Sequence, residues 1–323
     1  MEDYISLGNA CNIHCLFCYN DKERSKKQEF FTLNHVKREL IEIRKKHNFL
    51  CIVGGEPLFH PDIFEIMSFI NRLSFKRTRL VTNGIRFADK EFTKKFFEYK
   101  IDVIQFSIHT HDSGKDGIIS GRKNSFLDRK NGVKNVVEII KSNKLSTELH
   151  SNSVINKHNV NEVDKLIDFI YKLGIKNLSL SFMYSINGLS ERNISIISDY
   201  TSFLKQTHKI QKLINKHNSL KLSIHYLPFC FHKQISFFYK IREVLSRDMD
   251  IFINSADNIG GKEHQYKLEN RIKTKNCNLC EAYGKFCIGP ISEYVKLYGD
   301  AEFQALTKED IISILKNIKE AYN

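Results

Sequence analysis

"LCIVGGEPLFHPDIFEIMSFINRLSFKRTRLVTNG" occupies Leu50–Gly84. It opens on a short apolar run, Leu50–Val53, and breaks at two glycines. A helical pattern follows over Pro61–Leu73, then a second strand-like run, Arg79–Thr82. Strand, helix and strand in that order form a crossover unit, which joins parallel neighbours. The same alternation extends outward in both directions. Strand-like runs recur at Tyr4–Leu7, Val103–Ile108, Glu148–Ile155 and Asn177–Phe182. Helical patterns fall at Thr32–Lys46, Lys90–Tyr99, Phe126–Lys141, Val160–Leu173 and Ser190–His217. Six β–α repeats predict an α/β fold with a parallel, right-handedly wound sheet and helices outside. A complete eightfold barrel takes about 250 residues, and here the alternation stops near residue 218. The expectation is therefore a partial (β/α)6 TIM-like barrel over 1–218 and a small second domain over 219–323. That second segment holds one strand-like run, Leu220–Leu227, a helical stretch, Ile235–Leu245, and a terminal helix over about Thr307–Ala321.

At 323 residues, with 41% hydrophobic content and four prolines, the chain can bury a large core. It contains no run long enough to span a bilayer, and Met1-Glu2-Asp3 does not resemble a signal peptide. The expected compartment is the cytoplasm, where thiols stay reduced, so eight cysteines point to metal or catalysis rather than disulfides. The formal charge of +13 admits nucleic acid or an acidic partner, but the lysines are scattered rather than gathered in a stripe. That pattern disfavours nucleic acid without excluding it.

"NACNIHCLFCYND", Asn9–Asp21, places Cys11, Cys15 and Cys18 on one loop after the first strand. In parallel barrels chemistry collects at the C-terminal ends of strands. Three thiolates are one short of a structural zinc site, with His14 the only local candidate to complete it. They are also one short of closing a four-iron cluster, which would leave one iron open to a ligand.

The Cys-x3-Cys-x2-Cys spacing, with aromatic Phe17 just before the last cysteine, resembles the signature of the radical S-adenosylmethionine (SAM) superfamily. The resemblance implies a [4Fe-4S] cluster on Cys11, Cys15 and Cys18, with SAM on the open iron. Its reductive cleavage would then yield a 5′-deoxyadenosyl radical that abstracts a substrate hydrogen. Further motifs are similar to that family over about residues 3–185. "GGEP" supplies Gly54 and Gly55, which let the backbone approach a ligand, and Glu56, a carboxylate for the SAM ammonium. "LVTNG" ends the third strand. "FSIHT" ends the fourth, where Ser107 or His109 would reach the SAM ribose or carboxylate, and His109 reads equally as a structural histidine. "DGIISGRKNSF" and "SNSVINKHNVNEV" resemble the family's following segments, with Asn152 a SAM contact. Cys51, on a strand, reads as a small buried hydrophobe.

Near the other end, "CNLCEAYGKFC" gives Cys277, Cys280 and Cys287, and "LPFC" adds Cys230. Four thiolates suit an all-cysteine zinc site or a fully ligated iron–sulfur cluster, and spacing does not choose. The resemblance implies the second: a C-terminal twitch-like domain with one auxiliary [4Fe-4S] cluster. The longer SPASM type needs more cysteines. Cys230 is the expected fourth ligand; the alternative makes it a hydrogen-atom donor in a redox-neutral epimerase.

The expected function is thus radical SAM oxidation or modification of a peptide or small molecule. It would use two [4Fe-4S] clusters, SAM and an external electron donor of flavodoxin or ferredoxin type, and involve no membrane. The cluster motif begins at Cys11, which disfavours a preceding leader-peptide domain. From another class, a zinc-stabilised binding module remains the rival.

Overall fold

A computed structural model describes residues 2–18, 20–183, 189–235 and 271–320. Seven strands form the sheet, in the order β1-β2-β3-β4-β5-β6-β7. They are β1 (Glu2–Ser6), β2 (Phe49–Val53), β3 (Arg77–Thr82), β4 (Val103–Ser107), β5 (Glu148–Ile155), β6 (Asn177–Phe182) and β7 (Lys221–His225). The pairings from β1 through β5 are all parallel. Helices α1 (Asp21–Arg24), α2 (Leu33–Lys46), α3 (Ile63–Leu73), α4 (Lys90–Phe96), α5 (Ser113–Ser120), α6 (Ser125–Ser142) and α7 (Val163–Lys172) fall between strands. Then come α8 (Glu191–Ile194), α9 (Tyr200–Leu204), α10 (Thr207–Lys216), α11 (Ser292–Tyr298) and α12 (Lys308–Glu320).

By its contacts the chain divides into two compact units. One is Met1–Ser153 with Phe169–Asn177, and the other is Val154–Asp168 with Leu178–Asn323. In the first, α3 buries Ile63, Ile66, Met67 and Ile70, the i, i+3, i+4, i+7 stripe of an amphipathic helix. It stops where Ser74 turns left-handed at φ 54°. Helix α2 begins one residue after its expected start, because Thr32 is the cap: its hydroxyl accepts from His35 N at 3.4 Å. In the second unit, Tyr200 stacks on Tyr294 with centroids 4.2 Å apart, and Phe231 and Phe303 pack around them.

Two sequence expectations are corrected. The sheet has seven strands where six repeats were expected, because Lys221–His225 joins it with Leu222 and Ile224 buried. A short apolar run gives no local sign of its sheet partner. The single helix expected over Ser190–His217 is three. Ser190 caps α8 in a capping box with Asn193, and Asp199 caps α9 by accepting from Ser202 N at 2.6 Å. Each new cap restarts the chain in a fresh direction. Of the helical stretch expected over Ile235–Leu245, residues 236–245 lie outside the described residues, as does Ala321 of the terminal helix. No described helix is long and apolar enough to cross a membrane.

Candidate functional site

The loop after β1 carries Cys11, Cys15 and Cys18, all half-buried. Its first part rests on the turn after β2. Gly55 N donates to Gly8 O and Glu56 N to Ala10 O, both at 2.9 Å. A Cβ on Gly55 would lie 2.1 Å from Ala10 O and 2.4 Å from Asn9 O. Gly54, at φ +150°, would bring a Cβ to 2.7 Å from Gly8 O. What these glycines admit is therefore the cysteine loop's own backbone. The loop's middle is tied to the end of α5: His14 N donates to Ser120 O at 2.7 Å and Leu16 N to Ile119 O at 2.9 Å. Asn83 Nδ2, from the "TNG" turn, donates to Asn12 Oδ1 at 2.8 Å.

Burial pushes the Cys11 thiol up to about 11, with the Glu56 carboxylate adding repulsion. Burial pushes Cys15 up to about 12, and Cys18 adds to the effect. Thiols so crowded ionise together only when a cationic centre compensates them. That donor chemistry fits a metal cluster.

Glu56 is 1% exposed. Its Oε1 accepts from Leu58 N at 3.1 Å and Thr82 Oγ1 at 2.7 Å, and its Oε2 accepts from Asn83 N at 2.6 Å. Burial raises its carboxyl to about 7, against the pull of these donors. His109 is buried, and burial together with the Arg129 charge holds its imidazole well below the ordinary value, so the ring is neutral. Phe17 meets it edge-on with centroids 4.4 Å apart. Ser107 and Asn152 are register partners at the C-terminal end of β4 and along β5. The structure thus gathers the cysteine loop, the Glu56 turn and the Phe17–His109 pair, and sets Ser107 beside Asn152.

Sequence reading missed Arg129 and Asp116. They form an ion pair with side chains 4% and 2% exposed, and the Ser125 hydroxyl donates to the same carboxylate. Arg129 Nε donates to Asn83 O at 3.1 Å, while its buried Nη2 has no hydrogen-bond partner. The available signal was a cation on the buried stripe of α6, in line with Ser125, Gly132, Val133 and Val136.

In the second unit, Cys230, Cys277, Cys280 and Cys287 line one small cavity. Cys230 sits on the turn Phe229–Gln234, and Cys277 on Asn276–Leu279 with Cys280 just after it. Each sulfur accepts a hydrogen bond. Thr274 Oγ1 donates to Cys277 at 3.2 Å, Leu306 N to Cys280 at 3.3 Å, and Gly289 N to Cys287 at 3.4 Å. The Gln304 backbone donates to Cys230. Burial, with repulsion from the other three thiols, pushes Cys230 up to about 12. Burial raises Cys287 as well. Phe229, Leu306, Ile311 and Ile314 form the apolar backing of this cavity. Among the described residues, no group of three or more His, Cys, Asp and Glu is arranged to hold a single metal ion.

The Radical SAM superfamily model matches residues 5–150. A "Probable GTP 3',8-cyclase" of Saccharolobus solfataricus is 26% identical over 224 residues, covering 67% of this chain and 68% of the relative. A "PqqA peptide cyclase" of Methylorubrum extorquens is 30% identical over 178 residues, covering 54% of this chain and 44% of the relative. This chain therefore spans less than half the length of the second relative. Among solved structures, native anSMEcpe with bound AdoMet superposes with a TM-score of 0.60 at 17% identity, covering 99% of this chain and 96% of that one. Streptococcus suis SuiB bound to precursor peptide SuiA gives 0.55 at 18% identity, covering 72% of this chain and 50% of that one. At such identities the structures speak to fold alone, and the fold they share is α/β. Over residues 5–150 the chain is thus similar to the Radical SAM superfamily, and over about two thirds of its length to a named cyclase relative.

Proposed function

We propose that this chain cleaves SAM reductively on a 4Fe–4S cluster held by Cys11, Cys15 and Cys18, and that a second 4Fe–4S cluster sits on Cys230, Cys277, Cys280 and Cys287. The observation that carries the reading is the three-thiol loop, clamped between Gly55–Glu56 and the end of α5. Three protein ligands leave one iron of such a cluster open. Held by Cys11, Cys15 and Cys18, such a cluster would supply the electron for reductive cleavage of SAM and so the radical chemistry applied to substrate.

The chain's own residues bind and orient. Glu56 Oε2 accepts one protein hydrogen bond and keeps capacity for an ammonium, whose charge would draw the buried carboxyl back to its ionised form. The partnerless Nη2 of Arg129 fits an anionic group, the SAM carboxylate. Phe17 and the neutral His109 form a face for the nucleoside, with Ser107 and Asn152 as polar contacts. In the second unit, a hydrogen bond to every sulfur favours thiolates, and four of them close the coordination of a four-iron cluster. That arrangement supports reading 219–323 as a twitch-like domain, with the auxiliary cluster carrying an electron or holding the substrate pocket. Four thiols around one cavity match the ligand count of a fully ligated cluster. The substrate is proposed as a peptide, on the names of the PqqA relative and the peptide-bound SuiB. A small molecule is the second reading, favoured by the GTP cyclase relatives. The electron donor would be a flavodoxin or ferredoxin.

Anaerobic purification and reconstitution test the proposal. The expected protein is brown, with about eight irons per chain. Once reduced it releases 5′-deoxyadenosine and methionine from SAM. Changing Cys11, Cys15 and Cys18 together to Ala should abolish that release and leave about four irons. A colourless zinc protein, or release that persists in the triple variant, would overturn the reading.

A further inference from the structure

Arg24 ends α1, six residues beyond Cys18, and is 7% exposed. Its Nη2 donates to Ile13 O at 2.7 Å and to Gln28 Oε1 at 3.3 Å, and lies 3.4 Å from His14 Nδ1. Its Nη1 donates to Cys18 Sγ at 3.7 Å. One planar guanidinium therefore bridges the middle of the cysteine loop and its last thiol. Among the described residues no carboxylate pairs with it, and its buried Nε has no hydrogen-bond partner. A buried cation is costly unless an anion faces it. Its Nη1 reaches the Cys18 sulfur, a group that can carry the facing negative charge.

We infer that Arg24 is a positioning residue for the first cysteine loop and eases electron entry into the cluster held there. The inference rests on the function proposed above. Reduction adds one electron, taken from the external reductant; no bond breaks and no proton moves. The added negative charge is better tolerated beside a guanidinium that donates to a ligating sulfur, since charge and hydrogen bonds at sulfur set such potentials. Lysine would keep the charge but not the fork that reaches Ile13 O and Cys18 Sγ together.

The test compares wild type, Arg24→Gln and Arg24→Lys, each reconstituted anaerobically. Iron content and chelator resistance are measured. A redox titration follows the electron paramagnetic resonance signal that changes when SAM is added, which marks the first cluster. In Arg24→Gln the reduced-to-oxidised ratio at a fixed potential should fall about tenfold, a midpoint about 59 mV lower. Arg24→Lys should recover most of that ratio yet lose iron to chelator several-fold faster than wild type. A purely structural Arg24 would lower iron content in both variants and leave the midpoint of the remaining cluster unchanged; that result overturns the inference. If Arg24→Gln does not fold, Arg24→Lys decides: wild-type chelator resistance refutes the positioning role. A wild type with no SAM-responsive signal would instead refute the proposed function itself.

Discussion

Gly55→Ala separates two accounts of the "GGEP" turn. In one, glycine leaves room for a cofactor; in the other, it leaves room for the cysteine loop. The structure supports the second, since a new Cβ would stand 2.1 Å from Ala10 O and 2.4 Å from Asn9 O. Both neighbours are backbone atoms, so no side chain can rotate away. Relief requires the loop and the turn to move apart, which strains or breaks Gly55 N to Gly8 O and Glu56 N to Ala10 O, each 2.9 Å. Overpacking costs about 1–3 kcal/mol. Two weakened hydrogen bonds add about 0.5–1.5 kcal/mol each. The expected loss is about 2–6 kcal/mol, several degrees in Tm. Because the displaced atoms adjoin Cys11, the first cluster should fail to form while the second keeps its iron. Thermal melting and iron analysis after reconstitution read both effects. A Gly55→Ala protein with wild-type Tm and full iron but weak SAM binding would refute the loop account.

Cys230→Ala should make the auxiliary cluster labile, seen as lost iron or a changed spectrum, because Cys230 lines the same cavity as the other three thiols. Full iron with an unchanged spectrum, together with SAM cleavage that stalls on substrate, would instead support the hydrogen-donor reading. Arg129→Met leaves the buried Asp116 carboxylate unpaired and should cost about 3–5 kcal/mol in denaturant unfolding. Adding Asp116→Ala should recover part of that loss, and strict additivity of the two changes would count against a coupled pair. Glu56 has its carboxyl raised from 4.5 to about 7 in the cofactor-free chain. Between those values the folded chain holds a proton that the unfolded chain has lost, so stability should fall as pH rises through that window and level off above it. Glu56→Gln should remove that slope, and identical pH profiles for the two proteins would contradict the assignment.

Much of the fold follows from local pattern. The alternation of apolar runs with amphipathic stretches is set by backbone geometry within each segment, and β5 and β6 fall where Glu148–Ile155 and Asn177–Phe182 were read. Cysteine spacing is equally local: Cys11, Cys15 and Cys18 share one loop whatever surrounds it. Other features depend on atoms far apart in the chain. The seventh strand is defined by its place in the sheet, which its residues do not reveal alone. The break of 190–217 into three helices depended on which polar residues capped, a choice that packing makes. Gly55 looked like space for a ligand until the fold set Asn9 and Ala10 against it. Arg129 and Arg24 looked like two among 50 basic residues, and burial singled them out. Cys230 lies 47 positions before Cys277, yet all four thiols line one cavity. Spacing along a chain dictates what one turn can present. Desolvation and hydrogen bonding between distant segments decide which of those groups meet, and tertiary structure alone supplies them.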